Sequence, residues 1–296
     1  MPELESRFAE VNGIRLHYVC AGQGKPIIFI HGFPEFWAAW ELQLDEFGRD
    51  HLAVAYDLRG YNHSSKPAGV DAYRMEHHVE DLRCLIAHLG YRQCLLAGHD
   101  WGGGVAWSFA LRHPDWVEKL VIVNSPHPAV FARELLENPD QQKASEYMRL
   151  FRSPGAEAEL SANDYEYLFA ALTDWGGRWK MPEALRKRYR TAWSRTGALS
   201  GGLNFYRASP LYPPSTPEDV ERMQAVLNLP REMLTVTVPT LVIWGERDRA
   251  LLTGNLDGLE NYVNTLSVRR IPDGTHWVVH EQPRRVNQLI RRFVQP

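Results

Sequence analysis

Short, unbroken apolar runs recur along the first half of the chain, at Pro26–Ile30, Leu52–Tyr56, Leu95–Gly98 and Lys119–Val123. Near the other end Thr240–Trp244 is another, and Ser267–Ile271 reads as a further strand. Runs this short and continuous suit strands covered on both faces of a parallel sheet. Ahead of them, Arg7–Val11 and Ile14–Val19 flank Asn12-Gly13, the strongest signal for a two-residue hairpin turn. Between the runs the period changes. Val79, Leu82, Leu85, Ile86 and Leu89 follow the three- and four-residue steps of an amphipathic helix. Val286, Leu289, Ile290 and Phe293 do the same after Pro283, which suits a first helical turn. Gly102–Arg112 predicts a helix that follows a strand directly. The alternation predicts an open α/β sheet of about eight strands.

Residues 129–232 break this rhythm. They hold no clear apolar strand but carry Trp175, Trp179 and Trp193, several tyrosines and charged helical runs such as Glu183–Arg190. The stretch closes on Tyr212-Pro213-Pro214 and a further helical segment. It reads as a helical cap of residues 129–232 inserted into a core made of residues 1–128 and 233–296.

Composition narrows the class. At 44% hydrophobic and 23% charged, the 296-residue chain is neither disordered nor of low complexity. A net charge of -3 gives no general electrostatic reason to bind nucleic acid or an anionic membrane. The apolar runs fall short of the roughly 18–20 residues that a membrane span needs. The acidic segment Met1–Glu10 lacks the apolar stretch of a signal peptide. Cys20, Cys84 and Cys94 form no disulfide or zinc pattern and read as small buried hydrophobes, so a cytoplasmic location is expected.

The chemistry gathers where apolar runs end. Gly98-His99-Asp100-Trp101-Gly102 lies between a strand and a helix. A sharp strand-to-helix turn needs small flanking residues and projects its central side chain at the carboxyl edge of the sheet. An aspartate there either caps the helix or acts as a nucleophile, and glycines on both sides favour the nucleophile. On such a turn the partners follow in the order nucleophile, acid, histidine. Asp248 follows the run Thr240–Trp244, and His276 follows Ser267–Ile271. Each lies beyond the carboxyl end of a strand, where open α/β sheets bind ligands. His31-Gly32-Phe33-Pro34 follows Pro26–Ile30, the place for one amide of an oxyanion hole, with Phe33 and Trp101 as the donors.

Together these segments resemble a known family. The run from His31 to Pro34, Asp57-Leu58-Arg59-Gly60-Tyr61, Gly98–Gly103, Asn124–Pro128, Trp244–Asp248 and Gly274–Trp277 look like those of the α/β-hydrolase-fold epoxide hydrolases of the soluble and bacterial type. The resemblance covers essentially the whole chain. It implies an α/β-hydrolase fold, a mostly parallel eight-stranded sheet with a helical cap. It further implies that two cap tyrosines hold and protonate the epoxide oxygen. Tyr147, ahead of Pro154-Gly155, and Tyr206, closing Leu203-Asn204-Phe205-Tyr206, match the two local patterns. The implied reaction converts an epoxide and water to a vicinal diol through an alkyl ester on Asp100, which water activated by His276 hydrolyses. His276 is oriented by Asp248. No cofactor and no metal are needed. The partner is a small apolar epoxide, with no nucleic acid and no membrane, and a homo-oligomer is allowed.

Haloalkane dehalogenases resemble the chain less closely. They share the nucleophile and the tryptophan after it, but many carry Asn where Phe33 stands. Haloacetate dehalogenases would place arginines at positions 101 and 104, where this chain has Trp101 and Gly104. An esterase would need Ser in place of Asp100. A binding protein on the same fold would have lost a member of the Asp100, Asp248 and His276 set. Asn62 stands where relatives have Gly, at a turn that calls for positive φ. Asp57 and Arg59 are expected to organise that loop. Asn124 occupies the strand end that carries the acid in some relatives. His99, His280 and His127 read as structural. Trp37, Trp101 and Trp277, with Trp175, Trp179 and Trp193 behind them, are the aromatic side chains available to line a substrate pocket.

Overall fold

The structure is a computed structural model that describes residues 2–174 and 179–295. Eight strands form one sheet: β1 (Glu5–Val11), β2 (Ile14–Ala21), β3 (Pro26–Ile30), β4 (Leu52–Tyr56), β5 (Cys94–His99), β6 (Val117–Val123), β7 (Thr240–Gly245) and β8 (Leu266–Ile271). Their order is β1-β2-β4-β3-β5-β6-β7-β8. The β1–β2 hairpin turns at Asn12 and Gly13, both with positive φ, and β2 runs antiparallel to β4. Every later pairing is parallel.

Helices α1 (Glu41–Phe47), α2 (Met75–His88) and α3 (Trp101–Arg112) occupy the first three crossovers. Between β6 and β7 lie α4 (Pro128–Glu137), α5 (Pro139–Ala144), α6 (Tyr147–Arg152), α7 (Ala156–Leu172), α8 (Glu183–Trp193), α9 (Ala198–Ala208), α10 (Pro217–Leu227) and α11 (Arg231–Leu234). No strand interrupts them among the described residues. The chain ends with α12 (Val278–Glu281) and α13 (Pro283–Val294).

The unbroken apolar runs follow from this layering. Along β3, Ile27 and Phe29 enter one core with Trp40, Phe47 and Ile290, while Ile28 and Ile30 enter the other with Trp107 and Phe109. Side chains alternate across a strand, so both parities must be apolar when both faces are covered. β8 is an edge strand, and only Ile271 of it is buried. No described helix is long and apolar enough to cross a membrane. Cys20 and Cys94 are buried, but Cys84 is not the buried hydrophobe expected: it lies half-buried on α2, with its sulfur 3.3 Å from Glu80 Oε1.

The loop after β4 is braced by two buried charges. Arg59 makes a fork to Asp81 of α2, with Nε and Nη2 each 2.6 Å from an oxygen. Asp57 accepts from the ring of His17, the Trp37 amide and Asn62 Nδ2. Asn62 takes the positive φ the turn needs, at 38°. Removing one member of a buried pair strands the other charge, at a cost of about 3–5 kcal/mol. Asp81→Asn should therefore lower the unfolding free energy measured in urea by an amount of that order. A change below about 1 kcal/mol would mean that Arg59 finds another acceptor.

Candidate active site

The site begins with backbone geometry. Asp100 lies between β5 and α3 at φ 52° and ψ -126°. This is an uncommon conformation for a residue with a side chain. The neighbouring glycines make room for it. A Cβ on Gly98 would sit 2.3 Å from the Gly102 carbonyl oxygen, and one on Gly102 would sit 2.2 Å from that of Ile30. A Cβ on Gly32 would strike the Asp100 side chain itself. The Asp100 carbonyl accepts from Ser125 Oγ at 2.7 Å and from the Gly104 amide at 3.0 Å, which pins the turn.

The Asp100 carboxylate makes no capping bond to α3. Its Oδ1 accepts instead from the Phe33 amide at 2.7 Å. The Trp101 amide heads α3, where the first amides have no acceptor inside the helix. The helix N-terminus adds a partial positive charge beside the carboxylate.

His276 reaches the same carboxylate from the loop after β8. Its Nε2 lies 3.5 Å from Asp100 Oδ2, and its Nδ1 lies 2.7 Å from Asp248 Oδ2. Asp248 is in turn held by the amides of Ala250 and Leu251 and by Asn124 Nδ2 at 2.8 Å. Asn124 also takes the Gly245 amide on its Oδ1, so it ties the ends of β6 and β7 together. Burial raises the Asp248 carboxyl, but His276 and the donors around Asp248 outweigh it, and the pKa is lowered. For His276 burial pulls the pKa down, while the charge of Asp248 and then the bonds and charge of Asp100 raise it well above the usual range.

Two phenols complete the set. Tyr147 opens α6 and Tyr206 lies near the end of α9, with ring centroids 6.1 Å apart and nearly perpendicular. Tyr206 meets Phe33 and Trp101 edge-on. Burial, and then the negative charge of Asp100, raise both phenols well above the usual tyrosine range, so both remain proton donors.

The side chains border two cavities that meet at Asp100 and Tyr147. The larger, about 250 Å³, runs past Trp101, Phe131, Phe205 and Leu211. The smaller, about 80 Å³, holds Tyr206, His276 and Trp277 with Tyr167 and Leu168. Asp100, Asp248, His276, Tyr147, Tyr206, Phe33 and Trp101 are thus brought together, with Trp277 on the wall. Trp37 is a correction: it borders neither cavity. Its ring packs against Phe36 under the Arg188 guanidinium, because the segment after Pro34 turns back onto the sheet. Trp193 is also turned away, donating to the Pro34 carbonyl, and Trp179 stacks on His280. Trp175 lies outside the described residues.

Glu35 is the residue that sequence reasoning missed. It is buried and accepts from His280 Nε2 at 2.5 Å, His99 Nδ1 at 3.1 Å and Tyr189 Oη at 3.2 Å. Burial pushes its carboxyl up, yet His280 and His99 hold it far below the usual carboxylate range. His99 Nε2 faces the His276 carbonyl at 2.8 Å, so this cluster braces the backbone of His276. A lone acid inside the aromatic stretch Phe33–Trp37 is the signal that could have marked it, since a charge there must find buried partners.

Residues 25–283 match the family model described as alpha/beta hydrolase fold. The chain is 38% identical to epoxide hydrolase 3 of Xenopus tropicalis over 292 residues, covering 96% of this chain and 75% of that protein. It is 37% identical to epoxide hydrolase 4 of Mus musculus, covering 96% of this chain and 77% of that one. The crystal structure of Bacillus megaterium epoxide hydrolase in complex with an inhibitor superposes with a TM-score of 0.89 at 39% identity, covering 97% of this chain and 99% of that one.

The electrostatics yield a test. Because the Asp248 charge is the leading cause that raises His276, Asp248→Asn should make the imidazole titrate at lower pH than in the parent, followed by NMR of the ring protons. An unmoved titration would show that Asp248 does not control the charge on His276.

Proposed function

The chain belongs to the epoxide hydrolase family of the α/β-hydrolase fold, and from that premise we propose that it hydrolyses epoxides through a covalent ester on Asp100. The helices of residues 129–232 act as a cap that carries both phenols. The observation that carries this reading is that Tyr147 and Tyr206, from two separate helices, border the same cavity as Asp100 and His276.

An epoxide has a strained sp³ carbon and a poor leaving group. An Asp100 oxygen attacks that carbon, the ring C–O bond breaks, and its electron pair stays on the ring oxygen. The two phenols donate to this oxygen as charge develops, and one of them gives up its proton. The product is an alkyl ester of Asp100.

Esterification removes the Asp100 charge. Two causes that raise His276, the hydrogen bond and the charge of Asp100, vanish with it. The imidazole then loses its proton more readily and serves as base for water, while Asp248 holds its orientation. Hydroxide adds to the ester carbonyl. The amides of Phe33 and Trp101 receive the developing oxyanion. Collapse expels the diol alkoxide, which takes the proton from His276, and the proton of the regenerated Asp100 carboxyl returns to the phenolate, so every group is restored. These steps use only side chains and amides of this chain.

Three outcomes test the scheme. A single turnover in ¹⁸O-water should place the label in the Asp100 carboxylate, and label arriving directly in the diol would remove the nucleophile. His276→Gln should still form the ester, seen as an added mass on the protein, but release diol very slowly. In the parent, hydrolysis of the ester should rise with pH through a midpoint lower than the His276 titration of the free enzyme, because the ester has lost the Asp100 charge. A midpoint at or above the free-enzyme value would contradict the charge argument.

The phenols need a separate experiment. Either Tyr147→Phe or Tyr206→Phe should slow ring opening on the order of 10- to 1000-fold, and the double variant should lose nearly all of it. Hydrolysis of a preformed ester should change far less. A double variant that alkylates at the parent rate would sink both roles. Halide release from haloalkanes faster than opening of any epoxide would favour dehalogenation instead.

A further inference from the structure

One wall of the larger cavity is a single face of α3. Trp101, Gly104, Ser108 and Arg112 recur at three- and four-residue steps, and all four border the cavity. At 1.5 Å per residue the distance from Trp101 to Arg112 is about 16 Å. The cavity is therefore an elongated arm that runs from the nucleophile along the helix to its far end. Small residues keep it open. A Cβ on Gly104 would meet only Met75 and Trp101 side-chain atoms, each at 3.8 Å, so the space beside this helix face is free.

Charge is confined to the two ends of the arm. Among the described lining residues only Asp100, at the inner end, and Arg112, at the outer end, are charged. Arg112 is exposed and has no hydrogen-bond or ion-pair partner among the described residues. The nearby carboxylate of Glu80, which acts on the neighbouring His113, is taken by Arg83 at 2.6 Å. A cation suits the last turn of a helix. That preference accounts for a positive charge at position 112 but not for its place on the wall of an apolar arm that leads to the nucleophile.

We infer that Arg112 is a specificity-determining residue, and that the arm selects epoxides carrying the ring at one end of an unbranched apolar chain and a carboxylate at the other. The inference rests on the reading of Asp100 as the group that opens the ring. The guanidinium presents a planar fork that matches a carboxylate. The apolar wall between the ends takes the chain, and Asp100 repels a carboxylate that enters the arm the wrong way round. Chain and charge together therefore set the orientation of the substrate as well as its affinity.

The test compares terminal epoxyalkanoic acids of increasing length with their methyl esters, reading the ratio of kcat/KM for acid over ester. In the parent this ratio should peak where the extended span from ring to carboxylate approaches 16 Å, and it should fall as salt is added. Arg112→Gln should lower the peak roughly five-fold, the value for one exposed charge pair of about 1 kcal/mol. Arg112→Lys should keep part of it, and Arg112→Glu should favour the ester. A ratio that is flat with length, or equal in the parent and Arg112→Gln, would overturn the inference. A saturated alkanoic acid of matched length gives a reading that needs no ring opening. Followed by tryptophan fluorescence, it should bind the parent more tightly than its methyl ester does, and should lose that advantage in Arg112→Gln. Binding that behaves this way without diol formation would count against the proposed reaction and leave the role of Arg112 standing; equal binding of acid and ester would count against Arg112 whatever the reaction.

Discussion

The backbone at Asp100 is held at φ 52°, and the rest of the site depends on that one turn. A conformation of this kind costs on the order of 1–3 kcal/mol and persists only where the surroundings over-determine it. Here the surroundings are backbone. Gly98, Gly102 and Gly32 stand where any Cβ would overlap a carbonyl oxygen or the Asp100 side chain, and Ser125 grips the carbonyl of the turn. The reward is geometric. A carboxylate on such a turn clears the sheet edge, meets the Phe33 amide, and stands against a helix N-terminus without being spent as a helix cap.

The charges around the turn form a graded series. His276 lies between two carboxylates, 2.7 Å from Asp248 and 3.5 Å from Asp100. Asp248 is saturated with donors and keeps its charge throughout. Asp100 is the carboxylate whose charge would come and go. Under the proposed reaction, a histidine between a permanent and a transient anion would change its basicity from step to step. Behind this pair, Glu35 gathers His99, His280 and Tyr189, and His99 reaches the backbone of His276. Buried charge is thus used to hold the site together, and each buried acid meets the partners that its desolvation demands.

At Asp100 and Tyr147 the space divides into unequal arms. The large arm follows a helix face whose outer end carries Arg112, and the small arm stops against Trp277. Under the proposed reaction, a long substituent would have its room along α3.

The sequence by itself determined the sheet, the turn and the chain order of Asp100, Asp248 and His276. Unbroken apolar runs buried on both faces force a covered sheet, Asn12-Gly13 forces the hairpin, and glycines on both sides of Asp100 mark the place where backbone must approach backbone. These are local facts: each concerns residues within a few positions of one another, where sterics leave few choices. Only the tertiary structure decided what meets across the chain. Trp37 and Trp193 carry the composition of a pocket lining, yet both turn into packing, because an aromatic side chain is equally content in a core. Glu35 and Asn124 give no local signal of their partners, nor Arg112 of its place. Glu35 meets His280 from 245 positions away and Asn124 meets Asp248 from 124 positions away, and Arg112 acquires its place only because the helices between β6 and β7 roof over one face of α3. Burial and the geometry of distant elements set those contacts, and neither is a property of any short stretch of chain.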